Sequence, residues 1–151
     1  MRLTSPAFQE GETIPKQHTA DGKDVSPALA WADVPDATQS FALICDDPDA
    51  PRGTWVHWVL FNLPASCRGL PEGLPAQLVL ADGSKQGTND FKKAGYGGPS
   101  PPPGKPHRYF FKLYALSKPL SLKEGATKQQ VVDALKGSVL AEAQLMGKYG
   151  R

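Results

Sequence analysis

Cysteine is scarce in this 151-residue chain, with Cys45 and Cys67 the only two. Two thiols without a C-x-x-C pair make neither a disulfide framework nor a metal knuckle. They read as reduced thiols in a cytosolic protein. Long apolar runs are absent too. The longest surrounds Trp55–Leu63, broken by His57 and Asn62, far short of the ~20 residues a membrane span needs. The start, Met1-Arg2-Leu3-Thr4-Ser5-Pro6, has no apolar signal core, so the reading is cytoplasmic, without a transmembrane segment. Lysine and arginine are spread out at a net charge of +2, and no basic run marks a nucleic-acid surface. The hydrolase elbow G-x-S-x-G, the zinc motif H-E-x-x-H, the phosphate loop G-x-x-x-x-G-K-[ST] and the dinucleotide fingerprint are all missing. No histidine–carboxylate spacing is diagnostic of a metal site, so no metal and no cofactor are expected.

Turn formers are plentiful: fifteen glycines and fifteen prolines, spread throughout. They separate short β-like runs at Ala28–Trp31, Ser40–Cys45, Thr54–Leu63, Leu78–Leu80 and His107–Leu116. No βαβ alternation and no repeat is visible. This pattern predicts one domain over residues 1–151, a mainly β, antiparallel two-sheet sandwich. The run Trp55–Asn62 is apolar on both faces. Strict alternation sends His57, Val59 and Phe61 one way and Val56, Trp58 and Leu60 the other. That strand belongs mid-sheet, with Trp58 facing away from His57. Between Thr127 and Met146, Val131, Leu135, Val139, Ala143 and Met146 recur at helical spacing. Thr127-Lys128-Gln129-Gln130 fits a capping box, so a C-terminal α-helix ending at Gly147 is expected.

Chemistry-bearing groups gather in two places. Asp47-Pro48-Asp49-Ala50-Pro51 follows a strand directly and leads to His57. Proline stiffens this corner, and its two X–Pro bonds in five residues predict at least one in the cis form. Further on, Gly95-Tyr96-Gly97-Gly98-Pro99 opens a glycine- and proline-rich loop that ends at His107-Arg108-Tyr109. His107 and Tyr109 share one strand face. Glycine backbone N–H groups can approach an anion closely. Taken singly, each group has an ordinary structural use: a solvated acidic turn, a core histidine, an amphipathic tyrosine, a loop. If they converge, they form a small polar pocket suited to an anion.

At these motifs the chain resembles the phosphatidylethanolamine-binding protein family, also called Raf kinase inhibitor-like proteins. Its two signature regions are matched by Asp47–Pro51 through His57 and by Gly98-Pro99 through His107-Arg108-Tyr109. The bacterial YbhB/YbcL-like subgroup is matched by Ser26-Pro27…Leu29…Trp31, by Gly95–Pro99 and by Gly147–Arg151. Ser100 stands where bacterial relatives often carry Cys. The resemblance implies an antiparallel sandwich with an anion pocket lined by Asp47, Asp49, Pro51 and His57 on one side. Gly98, Pro99, His107 and Tyr109 line the other. It implies phosphate, phosphoethanolamine or another small anion as ligand. It implies a kinase or protease partner as well, and the sequence leaves an oligomer open. A regulatory binding module is therefore expected, with no assigned catalysis. The competing reading is a hydrolase or phosphotransferase using His57 or His107 as general acid/base. An Asp accepting from one histidine ring nitrogen would orient that ring and favour its charged form.

Overall fold

A computed structural model describes all 151 residues. Eight strands form two antiparallel sheets. β1 (Arg2–Thr4), β2 (Leu29–Ala32) and β5 (Gly69–Leu70) make the smaller, in the order β1-β2-β5. β3 (Ser40–Asp47), β4 (Trp55–Pro64), β6 (Lys85–Gln86), β7 (His107–Leu116) and β8 (Val139–Tyr149) make the larger, in the order β6-β4-β3-β7-β8. One helix, α1 (Lys128–Leu135), precedes β8.

β3 alternates cleanly between two cores. Phe41, Leu43 and Cys45 face the gap between the sheets, where they meet Trp31, Trp58, Leu60, Phe111 and Leu113. Ala42 and Ile44 face the opposite side, where Val59, Phe61, Val131 and Leu135 form a second core under α1. The central strand is therefore buried on both faces, as its apolar run requires.

β4 departs from strict alternation. Cys45 pairs with Trp58 and Asp46 with Val56, which leaves His57 without an opposite residue. This bulge turns Val56 to the helix side with Val59 and Phe61. His57 instead packs on Tyr109, a member of the inter-sheet core. The expectation that His57 and Trp58 point apart is thus corrected. A bulge adds one residue and re-aims the side chain at that point.

The capping box at Thr127 and Gln130 forms as expected. The helix does not run to Met146. It ends at Leu135, and Gly137 takes φ +81°, a turn open to glycine. Residues 139–149 become a strand along β7 from His107↔Tyr149 to Leu116↔Val139. Gly147 lies inside that strand, against Ile14 and Phe8, and is no helix stop.

Two further expectations are corrected. Leu78–Leu80 is not a strand. Val79 makes one bridge, to Lys85, because the turn at Gly83 brings Ser84 back onto Leu80. Every peptide bond is trans, including those before Pro48 and Pro51. The corner is closed instead by the Asp49 N–H donating to Oδ1 of Asp47, an Asx turn. No helix is long and apolar enough to cross a membrane.

Candidate functional site

The cleft lies where β3, β4 and β7 end beside the 98–106 loop. Asp47 is the last residue of β3. Continuing the alternation of Leu43 and Cys45, it faces the inter-sheet side with its carboxylate buried. His107, the first residue of β7, sets Nδ1 2.7 Å from Oδ2 of Asp47. A carboxylate only accepts, so Nδ1 carries the hydrogen and Nε2 is turned elsewhere. Two residues on, Tyr109 shares that face. Burial raises its phenol pKa, so the hydroxyl keeps its proton.

His57 reaches the same point from the bulge. Its Nδ1 lies 2.6 Å from the carbonyl oxygen of Gly97, and the Gly97 N–H donates to the backbone carbonyl oxygen of His57 at 2.9 Å. The ring meets Phe91 and Tyr109 edge-on, with centroids 5.4 and 5.1 Å away. Burial pushes its pKa below 6.5, outweighing the opposite pull of the Gly97 carbonyl and the Asp47, Asp24 and Asp46 carboxylates. A charged His57 is therefore disfavoured, against the expectation for an Asp-supported imidazole. The carboxylate beside a ring is Asp47, and it holds His107.

These groups line a cleft of about 190 Å³. Asp47, His57, His107 and Tyr109 supply its polar part, and Pro51 and Ala50 one wall. Five of the eight residues singled out in the sequence thus meet: Asp47, Pro51, His57, His107 and Tyr109. Asp49, Gly98 and Pro99 do not line it. Asp49 takes two bonds from the Arg108 guanidinium and one from the Arg108 N–H, each 2.9 Å. That bonding lowers its pKa to about 2. The second carboxylate is thereby neutralised outside the cleft, which removes much of the repulsion two aspartates would present to an anion. The Gly98 N–H donates to Oδ1 of Asp24 at 2.7 Å, and Pro99 O accepts from Ala20 N–H at 2.9 Å. A Cβ on Gly98 would run into His18 O and the Asp24 carboxylate. Gly98 and Pro99 therefore tie down the loop that carries the cleft wall.

Sequence reasoning missed the apolar lining: Trp55, Phe91, Pro101 and Pro102, along with the Ser100 hydroxyl. Trp55 is 39% exposed and packs edge-on against Phe91. It stands two residues before His57, a spacing that could have flagged it. Phe91 comes from a loop with no such signal. The wall is strapped by Arg151, which donates to Pro101 O at 3.0 Å and Ser100 Oγ at 3.3 Å. Arg151 is itself held by Asp21, whose Oδ2 also accepts from Tyr149 OH at 2.6 Å.

Residues 4–150 match the model of the family described as phosphatidylethanolamine-binding protein. A UPF0098 protein of Methanothermobacter thermautotrophicus is 51% identical over 151 residues, spanning 100% of this chain and 99% of its own. The UPF0098 protein YbhB of Escherichia coli (strain K12) is 41% identical over 157 residues, spanning 99% of both. Two crystal structures share the fold. The putative phosphatidylethanolamine-binding protein homologue CT736 of Chlamydia trachomatis D/UW-3/CX superposes with a TM-score of 0.90 at 40% identity, over 99% of this chain and 97% of its own. YbcL of E. coli, described as a member of the mammalian PEBP family, does so with 0.91 at 34% identity, over 99% and 98%. With a whole-chain family match, close relatives along its full length and the same two-sheet fold, this chain belongs to the phosphatidylethanolamine-binding protein family.

Proposed function

We propose that the chain is a binding module for a small phosphate-type anion, held between His57, His107 and Tyr109. Phosphate or phosphoethanolamine is the ligand class. The observation that carries this reading is the set of three polar atoms without a partner in the protein. Nε2 of His57, Nε2 of His107 and the Tyr109 hydroxyl all lack one, yet no sealed-off side-chain nitrogen or oxygen goes unsatisfied. Each therefore reaches the open cleft. Polar atoms left unpaired in an otherwise satisfied interior are the pattern of a ligand site. The Tyr109 O–H donates to the anion, Nε2 of His107 faces it across the cleft, and Ser100 adds a hydroxyl at the rim. The family relationship extends the proposal to regulation of a kinase or protease through this cleft.

One observation favours a second reading. The Asp47–His107 pair has the geometry of an oriented general base, which would serve a hydrolase or phosphotransferase. No activated nucleophile stands among the lining residues, so binding is the better-supported function.

Calorimetric titration of phosphate and phosphoethanolamine between pH 5 and 9 tests the reading. Wild type should bind weakly, Tyr109→Phe more weakly, and His107→Ala least. Binding unchanged in both variants would reject the cleft. Steady release of phosphate from phosphomonoesters, lost in His107→Ala, would move the assignment to the enzyme.

A further inference from the structure

The unpartnered atoms of the cleft differ in what they can do. Nδ1 of His57 is pinned to the Gly97 carbonyl oxygen, an atom that only accepts. The ring's hydrogen is therefore committed to Nδ1. The residue is 3% exposed, and burial holds its pKa below the usual 6.5. Near neutral pH the ring is uncharged, so Nε2 presents a bare lone pair. The groups facing it are Asp47 from β3, His107 and Tyr109 from β7, and Phe91 and Gly97 from the loop after β6. The Asp24 and Asp46 carboxylates act on it as well. Asp47 cannot supply a hydrogen, because its oxygens accept from His107 and from the Asp49 N–H.

An oxyanion seated against this lone pair meets repulsion unless it turns a hydrogen toward it. The other side of the cleft, with the Tyr109 hydroxyl, donates. The complement of such a site is a ligand with accepting oxygens and one O–H. We infer that the cleft selects oxyanions that carry a proton, with their O–H donated to Nε2 of His57, so that inorganic phosphate and the singly ionised form of a phosphomonoester are taken in preference to sulfate and phosphodiesters. This inference rests on the anion reading above and sharpens its ligand class. Inorganic phosphate keeps a P–OH throughout the neutral range. A phosphomonoester keeps one until its second ionisation near pH ~6. Sulfate and phosphodiesters have none near neutrality. A phosphoryl headgroup is thus recognised as the free monoester while it keeps its P–OH, below about pH 6, and not as the diester of an intact lipid.

Calorimetric titration of the full chain at pH 8 with inorganic phosphate, sulfate, phosphoethanolamine and glycerophosphoethanolamine tests this. Phosphate should bind roughly tenfold or more tightly than sulfate, the scale expected when a buried acceptor is left facing a lone pair. Phosphoethanolamine should gain about tenfold on moving from pH 8 to pH 6, and glycerophosphoethanolamine should stay weak at both. His57→Gln offers an amide N–H to a bare oxygen, so its phosphate-to-sulfate preference should shrink toward parity. Equal binding of phosphate and sulfate by wild type, or a diester bound as tightly as the monoester at pH 6, overturns the inference while the anion site stands. Failure of all four anions to bind overturns the anion reading and this inference with it.

Discussion

Asp46 and Asp47 are adjacent, both buried, and end on opposite faces of the five-stranded sheet. Asp46 faces α1 and is closed off by two lysines, with Lys128 Nζ 2.6 Å from Oδ2 and Lys112 Nζ 3.3 Å from Oδ1. Asp47 faces the cleft and holds one ring nitrogen of His107, leaving the other open. The same residue type at the same strand end thus belongs to a finished ion-pair cluster on one face and an unfinished polar site on the other. Burial and charge alone do not distinguish them. What distinguishes them is whether the polar atoms around the carboxylate have already spent their bonding capacity.

The most severe way to break the comparison is to remove what both faces share. Trp58, on the strand next to both, is fully buried in the core between the sheets, edge-on to Tyr96, with its indole N–H donating to Gln86 Oε1 at 2.8 Å. Trp58→Ala should cost about 3–5 kcal/mol by chemical denaturation. It also leaves the buried Gln86 oxygen without its donor. A midpoint within error of wild type would contradict the packing described.

Next in size is the closed face. Asp46→Asn removes a charge paired with two partly exposed lysines and should cost about 2 kcal/mol. Phosphate binding should be unchanged. Asp47→Asn should show the reverse balance, with a smaller stability loss and a clear loss of phosphate affinity, because His107 loses its orienting acceptor. Parallel unfolding curves and phosphate titrations of both variants check this. Equal effects on both properties would erase the distinction between the faces.

A smaller effect lies in pH. The folded pKa of His57 is depressed below 6.5, so the unfolded chain takes up that proton first as pH falls. The stability tied to the neutral ring is complete above about pH 6.5 and declines as pH drops below it. Thermal unfolding between pH 8 and 5 should therefore show a shallower acid slope in His57→Gln than in wild type. Identical slopes would mean that burial does not govern this ring. Smaller still, and lower in pH, is the contribution of Asp49, held at about 2 by Arg108. It is present above about pH 4 and fades as pH falls toward 2. Arg108→Gln should remove it, as read from acid unfolding.

Much of this was legible in the sequence where local rules and packing agree. The sequence predicts the strand His107–Leu116 with its observed bounds, and the capping box at Thr127 forms where its motif stands. The failures have physical causes. Val139, Ala143 and Met146 fit a helical period, but Leu140, Glu142 and Gln144 alternate just as well with Ala141, Ala143 and Leu145. The free edge of β7, together with the glycine stop at Gly137, decided for the strand. Short strands such as Gly69–Leu70 carry too few residues to show any period. In the cleft, the strand-borne pair His107 and Tyr109 is legible because two-residue spacing fixes a face. The bulge at His57 was invisible, since it depends on pairing with β3. Gly98 and Asp49 were misplaced because their partners, Asp24 and Arg108, are set by tertiary contacts and turn geometry. Trp55 and Phe91 escaped because apolar lining looks like core until exposure is known.

The most direct test of the central claim follows backbone and imidazole NMR signals while inorganic phosphate is added at pH 7. Both faces offer an anion some attraction: the Lys112–Lys128 pair on one, the His57–His107–Tyr109 cleft on the other. The account predicts saturable shifts confined to Asp47, His57, Gly97, Ser100, His107 and Tyr109, with the Lys112 and Lys128 signals unmoved. Shifts centred on Lys112 and Lys128, or none at the cleft at saturating phosphate, would contradict it.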